Sequence, residues 1–333
     1  MKTRDRFWGV IKRTKIDRLP MTEWASWWKD ATIARWYGEG LPLSLQDDFA
    51  LRAHFGLDDW RQSWLRGGAA DMPQAASHGA PLIHTRADYE AFQRYLWPDP
   101  QPHLDELRSW KAAHQKGDCV VWVTLEGFFW FPRILFGIEP HLYAFYDHPD
   151  LMKEINARLT EYHIACVKAI GEVLQPDFFT FAEDLSYNHG PMLSRELFDE
   201  FIAPYYRELL PHIKKLGSVS VMDSDGQVEP IGPWLESCGM EGILPLERQA
   251  GVDVANLRRD YPALVMIGAF DKMTMPRGRE AMRAEFERLL PVMRSGRFFP
   301  SCDHQTPPGV SLENYHIYLD LFKEYAARAV EGW

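Results

Sequence analysis

The second half of the chain alternates short apolar runs with helical stretches, and this alternation constrains the fold more than any other feature. The apolar runs occupy residues 175–184, 218–226, 242–247, 263–271 and 297–304. Five strand-then-helix units in succession predict parallel strands joined by right-handed crossovers. At 333 residues the chain is long enough for one complete α/β barrel. We therefore predict a single (β/α)8 TIM barrel.

The first half of the sequence is less regular. Residues 118–127 form another strand candidate, and residues 81–84 form a weaker one. Seven of the thirteen tryptophans fall within the first 70 residues. We predict that residues 1–70 form an N-terminal helical, Trp-rich arm packed on a barrel of residues 71–333. Within this arm, Trp24 and Trp28 are predicted to help cover the substrate at the barrel mouth.

Composition excludes several classes of function. The net charge of −10 disfavours nucleic-acid binding, because phosphate contacts require an excess of Lys and Arg. The charged N-terminus does not resemble a signal peptide, and the most apolar stretch, residues 119–138, is interrupted by Glu126 and Arg133. The four cysteines form no CxxC pair. We expect a cytoplasmic protein without a membrane or nucleic-acid partner.

Several of the apolar runs end in ionisable residues. In chain order these residues are Glu126, Glu183, Asp184, Asp223, Asp225, Glu247, Asp271, Cys302, Asp303 and His304. The carboxyl ends of parallel barrel strands share one face, so these groups are expected to converge there. Crowded, buried carboxylates repel one another and need a cation or shared protons. The pattern predicts a metal, a cationic substrate or acid–base catalysis.

Each of these residues also has a structural interpretation. Asp271 can equally cap the following helix, and Asp303 has the character of a solvated loop residue. Glu126 can pair with Arg133. Cys302 is small and apolar enough to be inert core. Asp223 and Asp225 share a face only if the strand persists through both residues.

Four segments resemble the uroporphyrinogen decarboxylase superfamily, which includes corrinoid-linked methyltransferases and cobalamin-independent methionine synthase. They are FAEDLSYNHGPMLSRELFDEFIAPYYREL, VMDSDG, MIGAFDKMTM and DHQTPPGVSLENY, in the family's order. The resemblance implies a TIM barrel. The Arg-rich segment that receives the carboxylates of uroporphyrinogen is absent from this sequence, and its many acids should repel an octa-acid. The resemblance is therefore closer to the methyltransferase and uncharacterised branches.

By this resemblance, Asp225 and Glu247 occupy metal-ligand positions of the zinc methyltransferases, and Cys302 or His304 supplies the late ligand. Alignment on the Pro and Glu-Asn landmarks favours His304. The set is richer in oxygen than a thiolate zinc site, so zinc, manganese and magnesium all remain open. The resemblance also implies a corrinoid (cobalamin) as methyl carrier and a corrinoid protein as partner.

The predicted function is metal-assisted, corrinoid-linked methyl transfer from a small methylated substrate. The predicted catalytic residues are Asp184, Tyr187, His189 and Asp223. The predicted substrate-binding residues are Glu126, Glu183, Trp24, Trp28 and Asp271. One alternative is a metal-free decarboxylase or lyase with an Asp as proton relay. Another is a barrel that binds a ligand without catalysis.

Overall fold

A computed structural model describes residues 1–25 and 27–333. Its main sheet contains seven parallel strands within these residues, in the order β1-β2-β3-β6-β7-β8-β9. The strands are β1 (Trp60–Leu65), β2 (Val120–Glu126), β3 (Phe178–Ala182), β6 (Val219–Asp223), β7 (Gly242–Leu244), β8 (Val265–Phe270) and β9 (Phe298–Cys302). A small antiparallel hairpin, β4 (Ser186–Tyr187) and β5 (Gly190–Pro191), follows β3.

The parallel α/β architecture predicted from the sequence is confirmed, with three corrections. The sheet contains seven strands among the described residues instead of eight, and residues 81–84 form no strand. The first strand, β1, lies within the range predicted to be a helical arm. In Trp60–Leu65 the buried and exposed residues do not alternate regularly. Trp60 and Leu65 are buried and Trp64 is partly buried, so the sequence of this strand carries only a weak period-2 signal.

The sheet curves until its two edge strands come into contact. The ring centroids of Trp60 in β1 and Phe299 in β9 are 5.4 Å apart, although the two strands do not pair. Phe7, near the chain start, stacks on Phe178 and Phe299 and closes the end where the strands begin. Apolar strands buried on every residue, such as β2, are typical of parallel sheets covered on both faces.

The N-terminal segment contacts both edges of the sheet. The carbonyl of Met21 accepts a hydrogen bond from the amide of Asp58, just before β1. The Glu23 carboxyl accepts hydrogen bonds from the Ser301 hydroxyl (2.9 Å) and the Cys302 amide (3.0 Å) in β9. This segment therefore lies where an eighth strand would close the barrel, and a buried side chain makes the contacts instead of a strand ladder.

Helices surround the sheet, and polar caps begin several of them. Ser194 and Ser311 each accept a hydrogen bond at a helix N-terminus, as the sequence predicts for Ser194. The helices are α1 (Thr3–Lys12), α2 (Ala34–Gly38), α3 (Asp48–His54), α4 (Arg86–Phe92), α5 (Gln101–Gln115), α6 (Trp130–Phe136), α7 (Ile138–Asp147), α8 (Pro149–Val173), α9 (Arg195–Phe201), α10 (Ala203–Lys215), α11 (Gly232–Cys238), α12 (Val254–Asp260), α13 (Arg279–Arg294) and α14 (Leu312–Arg328). Among the described residues, no helix has the length and apolar character needed to cross a membrane.

Candidate active site

A cavity of about 370 Å³ opens at the carboxyl ends of the strands. Three carboxyl groups line it, those of Asp184, Asp223 and Asp225. The remaining lining residues are Trp24, Ala25, Gln62, Trp64, Trp130, Ala182, His304 and Gln305. The sequence predicted that Asp184, Asp223, Asp225, His304 and Trp24 lie at the barrel mouth, and the structure brings these five residues together there. Their chemical roles remain predictions.

Backbone geometry holds the three carboxyl groups close to one another. The carbonyl of Asp223 at the end of β6 accepts hydrogen bonds from the amides of both Glu183 (2.9 Å) and Asp184 (3.2 Å). Asp184 adopts φ +47°, a left-handed conformation that few non-glycine residues occupy. Such strained residues cluster at functional sites. Gly226 follows at φ +81°, where a Cβ atom would lie 2.5 Å from the backbone of Tyr187.

The cavity favours protonated carboxyl groups. Burial raises the pKa of Asp223 well above its ordinary value, and the charges of Asp225 and Asp184 add to the effect. Burial and the charges of Asp184 and Glu247 raise the pKa of Asp225 to about 7. The pKa of Asp184 is raised by burial, against the opposing influence of Arg133. The cluster can therefore hold a proton near neutral pH or lose it to an incoming cation.

Indole rings form much of the remaining cavity wall. Trp130 begins α6, and the Arg133 guanidinium lies 4.9 Å from its ring centroid. The same guanidinium is 3.9 Å from the Asp184 carboxylate. On the opposite side, Trp24 packs edge-on against His304 and donates a hydrogen bond from Nε1 to the Cys302 carbonyl. The wall is thus fixed by contacts with neighbouring strand ends.

His304 adds a titratable base beside the carboxyl cluster. Its Nε2 atom is 3.8 Å from Oδ2 of Asp225. Burial lowers the pKa of His304, although the charge of Glu247 opposes this effect. A neutral imidazole therefore faces a carboxyl group that titrates near pH 7. The pair is suited to exchanging a proton.

A lysine side chain neutralises the acids next to this cavity. Lys272 Nζ is 3.2 Å from Glu247 Oε1 and 3.3 Å from Asp303 Oδ1. Asp303, interpreted from the sequence as a solvated loop residue, is fully buried and also accepts hydrogen bonds from the amides of Arg248 and Lys272. Burial opposes protonation of Lys272, but the charges of Asp303 and Glu247 outweigh it and raise its pKa.

The predicted metal-ligand set does not converge on one point. Asp225 and His304 are close, whereas Glu247 contacts Lys272 and the amide of Gly226. Cys302 is 1% exposed, and burial raises the pKa of its thiol well above the ordinary value. In residues 1–25 and 27–333, no group of three His, Cys, Asp or Glu side chains is arranged to hold a metal ion. The four-residue set does not fit a metal in this conformation, and metal binding remains a prediction.

Two residues predicted to bind substrate are buried away from the cavity. Glu183 accepts hydrogen bonds from the amides of Phe128, Phe129 and Trp130 and from the Tyr206 hydroxyl. It therefore holds the start of α6, and burial raises its pKa to about 7. A Cβ atom on the neighbouring Gly127 would lie 2.1 Å from its carboxyl carbon.

Glu126 is the other buried carboxyl, and in the described part of the chain it forms no ion pair with Arg133. It accepts a hydrogen bond from the amide of Gly67 at 2.8 Å and lies 3.8 Å from Arg66. Burial raises its pKa. Both glutamates thus satisfy backbone donors in loops that follow strands, which explains why an acid at a strand end need not face the substrate.

Four further candidates lie outside the cavity lining. Asp271 caps the 3-10 helix Lys272–Arg277 by accepting from the Met273 amide, in agreement with the capping alternative. Trp28 is 49% exposed, and its predicted role in covering the substrate stays a prediction. Tyr187 is 50% exposed, and it contacts His189 on the β4–β5 hairpin. None of these four lines the cavity among the described residues.

Sequence reasoning missed several residues at the site. Gln62 and Trp64 lie in β1, inside the predicted arm, and Trp130 lies in the apolar stretch read as core. Lys272 lies two residues beyond the end of β8, so its position could have identified it as a cation among the acids. For Trp130 the sequence offers no such signal, because an indole after a strand is usually core.

Comparison with known proteins places this site in a family. The family model for uroporphyrinogen decarboxylase (URO-D) matches residues 108–325, which is more than half of the chain. The chain belongs to the uroporphyrinogen decarboxylase family. The match starts before β2 and extends to α14, so it includes every strand of the sheet except β1.

Solved structures of similar fold extend the comparison to the whole chain. A methyltransferase from Methanosarcina mazei is 17% identical with a TM-score of 0.66, covering 98% of this chain and 99% of its own. A candidate vitamin-B12-independent methionine synthase from Listeria monocytogenes is 10% identical with a TM-score of 0.50, covering 96% and 98%. At these identities the similarity shows the fold alone. No curated protein matches the chain.

Proposed function

We propose that this member of the uroporphyrinogen decarboxylase family transfers a methyl group from a small methylated substrate bound in the mouth cavity. The observation that carries the proposal is the combination, in one cavity, of indole walls with the carboxyl groups of Asp184, Asp223 and Asp225. Methyl groups bonded to nitrogen, sulfur or oxygen carry partial positive charge, which indole faces and carboxylates attract. The similarity in fold to a methyltransferase supports the same reaction class.

The size and charge of the cavity restrict the substrate. A volume of about 370 Å³ is at the lower end of the roughly 300–1,000 Å³ typical of ligand sites, which suits a small molecule. Among the described residues, those that line the cavity include no lysine or arginine. A methylated ammonium or sulfonium ion would supply that charge, whereas a polycarboxylate would be repelled. The favoured substrate is therefore a small methylated cation.

In methyl transfer, the side chains of the site would have different roles. The bond between the methyl carbon and its heteroatom breaks, and the heteroatom keeps the electron pair as a nucleophile bonds to the carbon. Trp24, Trp64 and Trp130 would position the methyl group and exclude water. An ammonium or sulfonium ion that loses its methyl group leaves as a neutral molecule. A methoxy compound would leave as an alkoxide, so its oxygen needs a proton, which Asp225 can donate. A corrinoid would supply the accepting nucleophile when bound.

A decarboxylase or lyase is the second candidate, and the raised pKa values of Asp223 and Asp225 favour it. A carboxyl group that stays protonated near neutral pH can protonate the carbanion left when carbon dioxide departs. This reaction requires an anionic substrate. The excess of acids over cations in the cavity lining makes that binding less favourable than binding of a methylated cation.

A binding screen on the full chain separates the two candidates. The probes are tetramethylammonium, the neutral and similarly sized neopentyl alcohol, and the dianion malonate, with ligand-observed NMR as readout. We expect tetramethylammonium to bind at least tenfold more tightly than the neutral probe and to release protons from the cluster at pH 6–7, since cation binding lowers carboxyl pKa values. Weaker binding of tetramethylammonium to Asp223→Asn than to the wild type locates the site in the mouth cavity.

Catalysis is then tested directly with deuterated methyl donors, reduced cobalamin and a free thiol as acceptors. Transfer of the labelled methyl group from a donor that binds, and its loss in Asp223→Asn, supports methyl transfer. Release of carbon dioxide from small acids, with no binding of methylated compounds, would overturn the proposal in favour of the lyase.

A further inference from the structure

A second cavity of about 460 Å³ lies away from the strand carboxyl ends. It is bounded by α3, by α5 and by the residues that lead into β1. Its lining consists of Phe49, Arg52, Ala53, Leu57, Asp59, Arg61 and Trp110. None of these residues lines the mouth cavity. Asp59 precedes β1, so this cavity lies at the end of the barrel opposite the candidate active site.

Arg52, which lines this cavity, is a buried cation with few partners. It is only 7% exposed, and its Nη1 donates one hydrogen bond, to the Trp60 carbonyl at 2.8 Å. Its Nε has no hydrogen-bond partner. In the part of the chain that the structure describes, no carboxylate forms an ion pair with it, although the charges of Asp48 and Glu23 act on it from further away. Buried arginines are rare unless they are paired.

The acid nearest to the cavity is already committed to another cation. Asp59 accepts hydrogen bonds from Arg61 through both carboxylate oxygens, at 3.1, 3.0 and 2.7 Å. The lining therefore carries two guanidinium groups and one carboxylate, which leaves a positive charge on the Arg52 side. An anion in the cavity would complete the hydrogen bonds of Arg52, because a guanidinium binds a carboxylate through two parallel bonds.

The rest of the lining selects for an apolar body. Phe49 and Trp110 face each other edge-on with centroids 6.5 Å apart, and Ala53 and Leu57 add aliphatic surface. The volume is within the usual range for a small-molecule site, roughly 300–1,000 Å³. We propose that this cavity is a second binding site, which takes a small monocarboxylate with an aromatic or branched apolar body and holds its carboxylate on Arg52.

The test uses benzoate as probe and the neutral amide benzamide as matched control, on the full-length chain. Binding is measured by isothermal titration calorimetry and by the shift in melting temperature. We expect benzoate to bind and to stabilise the protein, and benzamide to bind at least tenfold more weakly, because the amide gives up the charge-assisted bonds. Equal affinity for the two probes, or no benzoate binding at saturating concentration, overturns the proposal.

Two variants locate the binding. Arg52→Met removes the charge and should lower benzoate affinity at least tenfold, with folding preserved, since replacing a buried unpaired charge by an apolar group is often neutral or stabilising. Ala53→Leu fills the cavity from an exposed helix position and should lower affinity without touching Arg52. Ala112→Leu, on the exposed side of α5, is the matched control and should bind normally.

The two variants also protect the test against misfolding. If Arg52→Met does not fold, Ala53→Leu decides the outcome alone, and unchanged benzoate affinity in that variant refutes the site. Asp223→Asn should bind benzoate like the wild type. Loss of benzoate binding in Asp223→Asn would place the anion in the mouth cavity instead and would overturn the proposal.

Discussion

Both ends of the barrel bury acidic side chains, and Asp177 and Asp223 show how differently two such acids can be partnered. Asp177, just before β3, accepts hydrogen bonds from Arg4 (2.7 Å), Trp8 (2.8 Å) and the Val121 amide (3.0 Å), and pairs with His114. At the opposite end, burial and the charges of Asp225 and Asp184 raise the pKa of Asp223, and the described residues that line its cavity include no lysine or arginine.

The same contrast holds for a second residue at the strand-beginning end. Asp58 forms ion pairs with Arg18 at 2.6 Å and Arg6 at 3.0 Å, and it accepts a hydrogen bond from the Met21 amide at 2.8 Å. In α/β barrels, residues at this end serve stability, whereas residues at the carboxyl ends serve chemistry. Burial alone therefore does not identify a functional acid, and the buried acid beside other acids, Asp223, is the stronger candidate for a chemical role.

The largest expected effect is on the free energy of unfolding when Asp177 is replaced. Asp177→Ala leaves Arg4, Trp8 and His114 without their acceptor and should lower the free energy of unfolding by about 3–5 kcal/mol. Chemical denaturation measures the change. Asp118→Ala, which breaks only an exposed pair with Lys2, is the control and should be near wild type. A small loss in Asp177→Ala would remove the contrast between the two ends.

The pH dependence of stability sharpens the comparison at Glu183. Its pKa rises from 4.5 when unfolded to about 7 when folded, so its contribution is full below pH 4.5 and is lost as pH rises through 7. Glu183→Gln cannot titrate, so the melting-temperature advantage of the wild type over this variant should shrink by a few degrees between pH 5 and pH 8.

The paired comparison is necessary because buried histidines titrate in the opposite direction. Burial lowers the pKa of His141 and His163 to about 3 each, so their contribution to stability grows as pH rises toward 6.5. Both proteins share this effect, and it cancels in the difference. An advantage that widens with pH would mean that the Glu183 carboxylate is stabilised in its ionised form by its four donors.

Asp223→Asn should affect stability differently from Asp177→Ala. Removing one of three crowded acids should leave the stability unchanged or slightly higher, while affinity for tetramethylammonium falls on the order of tenfold. Thermal denaturation and calorimetry on the same preparation measure both quantities. A substantial loss of stability with unchanged affinity would assign Asp223 to the structural class represented by Asp177.

Glu247 should show the smallest effect, because its charge is already matched. Glu247→Gln weakens the contact with Lys272 at 3.2 Å and should lower stability by about 1 kcal/mol. If the chain binds a divalent metal through Glu247, metal affinity should also fall roughly tenfold to a hundredfold. Metal content measured alongside melting temperature separates these results, and unchanged metal binding would remove Glu247 from the predicted ligand set.

The sequence predicts the parallel sheet and much of the mouth because both depend on local patterns repeated along the chain. Apolar runs that end in Asp184, Asp223 and Asp225 identified the acid cluster correctly. The first strand was missed because Trp60 and Leu65 belong to a tryptophan-rich region with no clear alternation.

What the sequence could not predict is how each acid is partnered. Glu183 and Asp184 are adjacent in sequence, yet one is turned into backbone amides and the other into the cavity. The cationic partner of Glu247 is Lys272, which lies 25 residues further along the chain. Such choices depend on loop conformation and on contacts between distant segments, which periodicity does not report.

The bonds of Glu23 to Ser301 and Cys302 join residues 278 and 279 positions apart in the chain. During synthesis the segment around Glu23 leaves the ribosome early, but the donors that its carboxyl group accepts from exist only after β9 has been made. Until then the Glu23 carboxyl group lacks these two donors and stays hydrated. The wall between β1 and β9 is therefore completed only after residues 301 and 302 have been made. Trp24 takes its place beside the mouth at the same late stage.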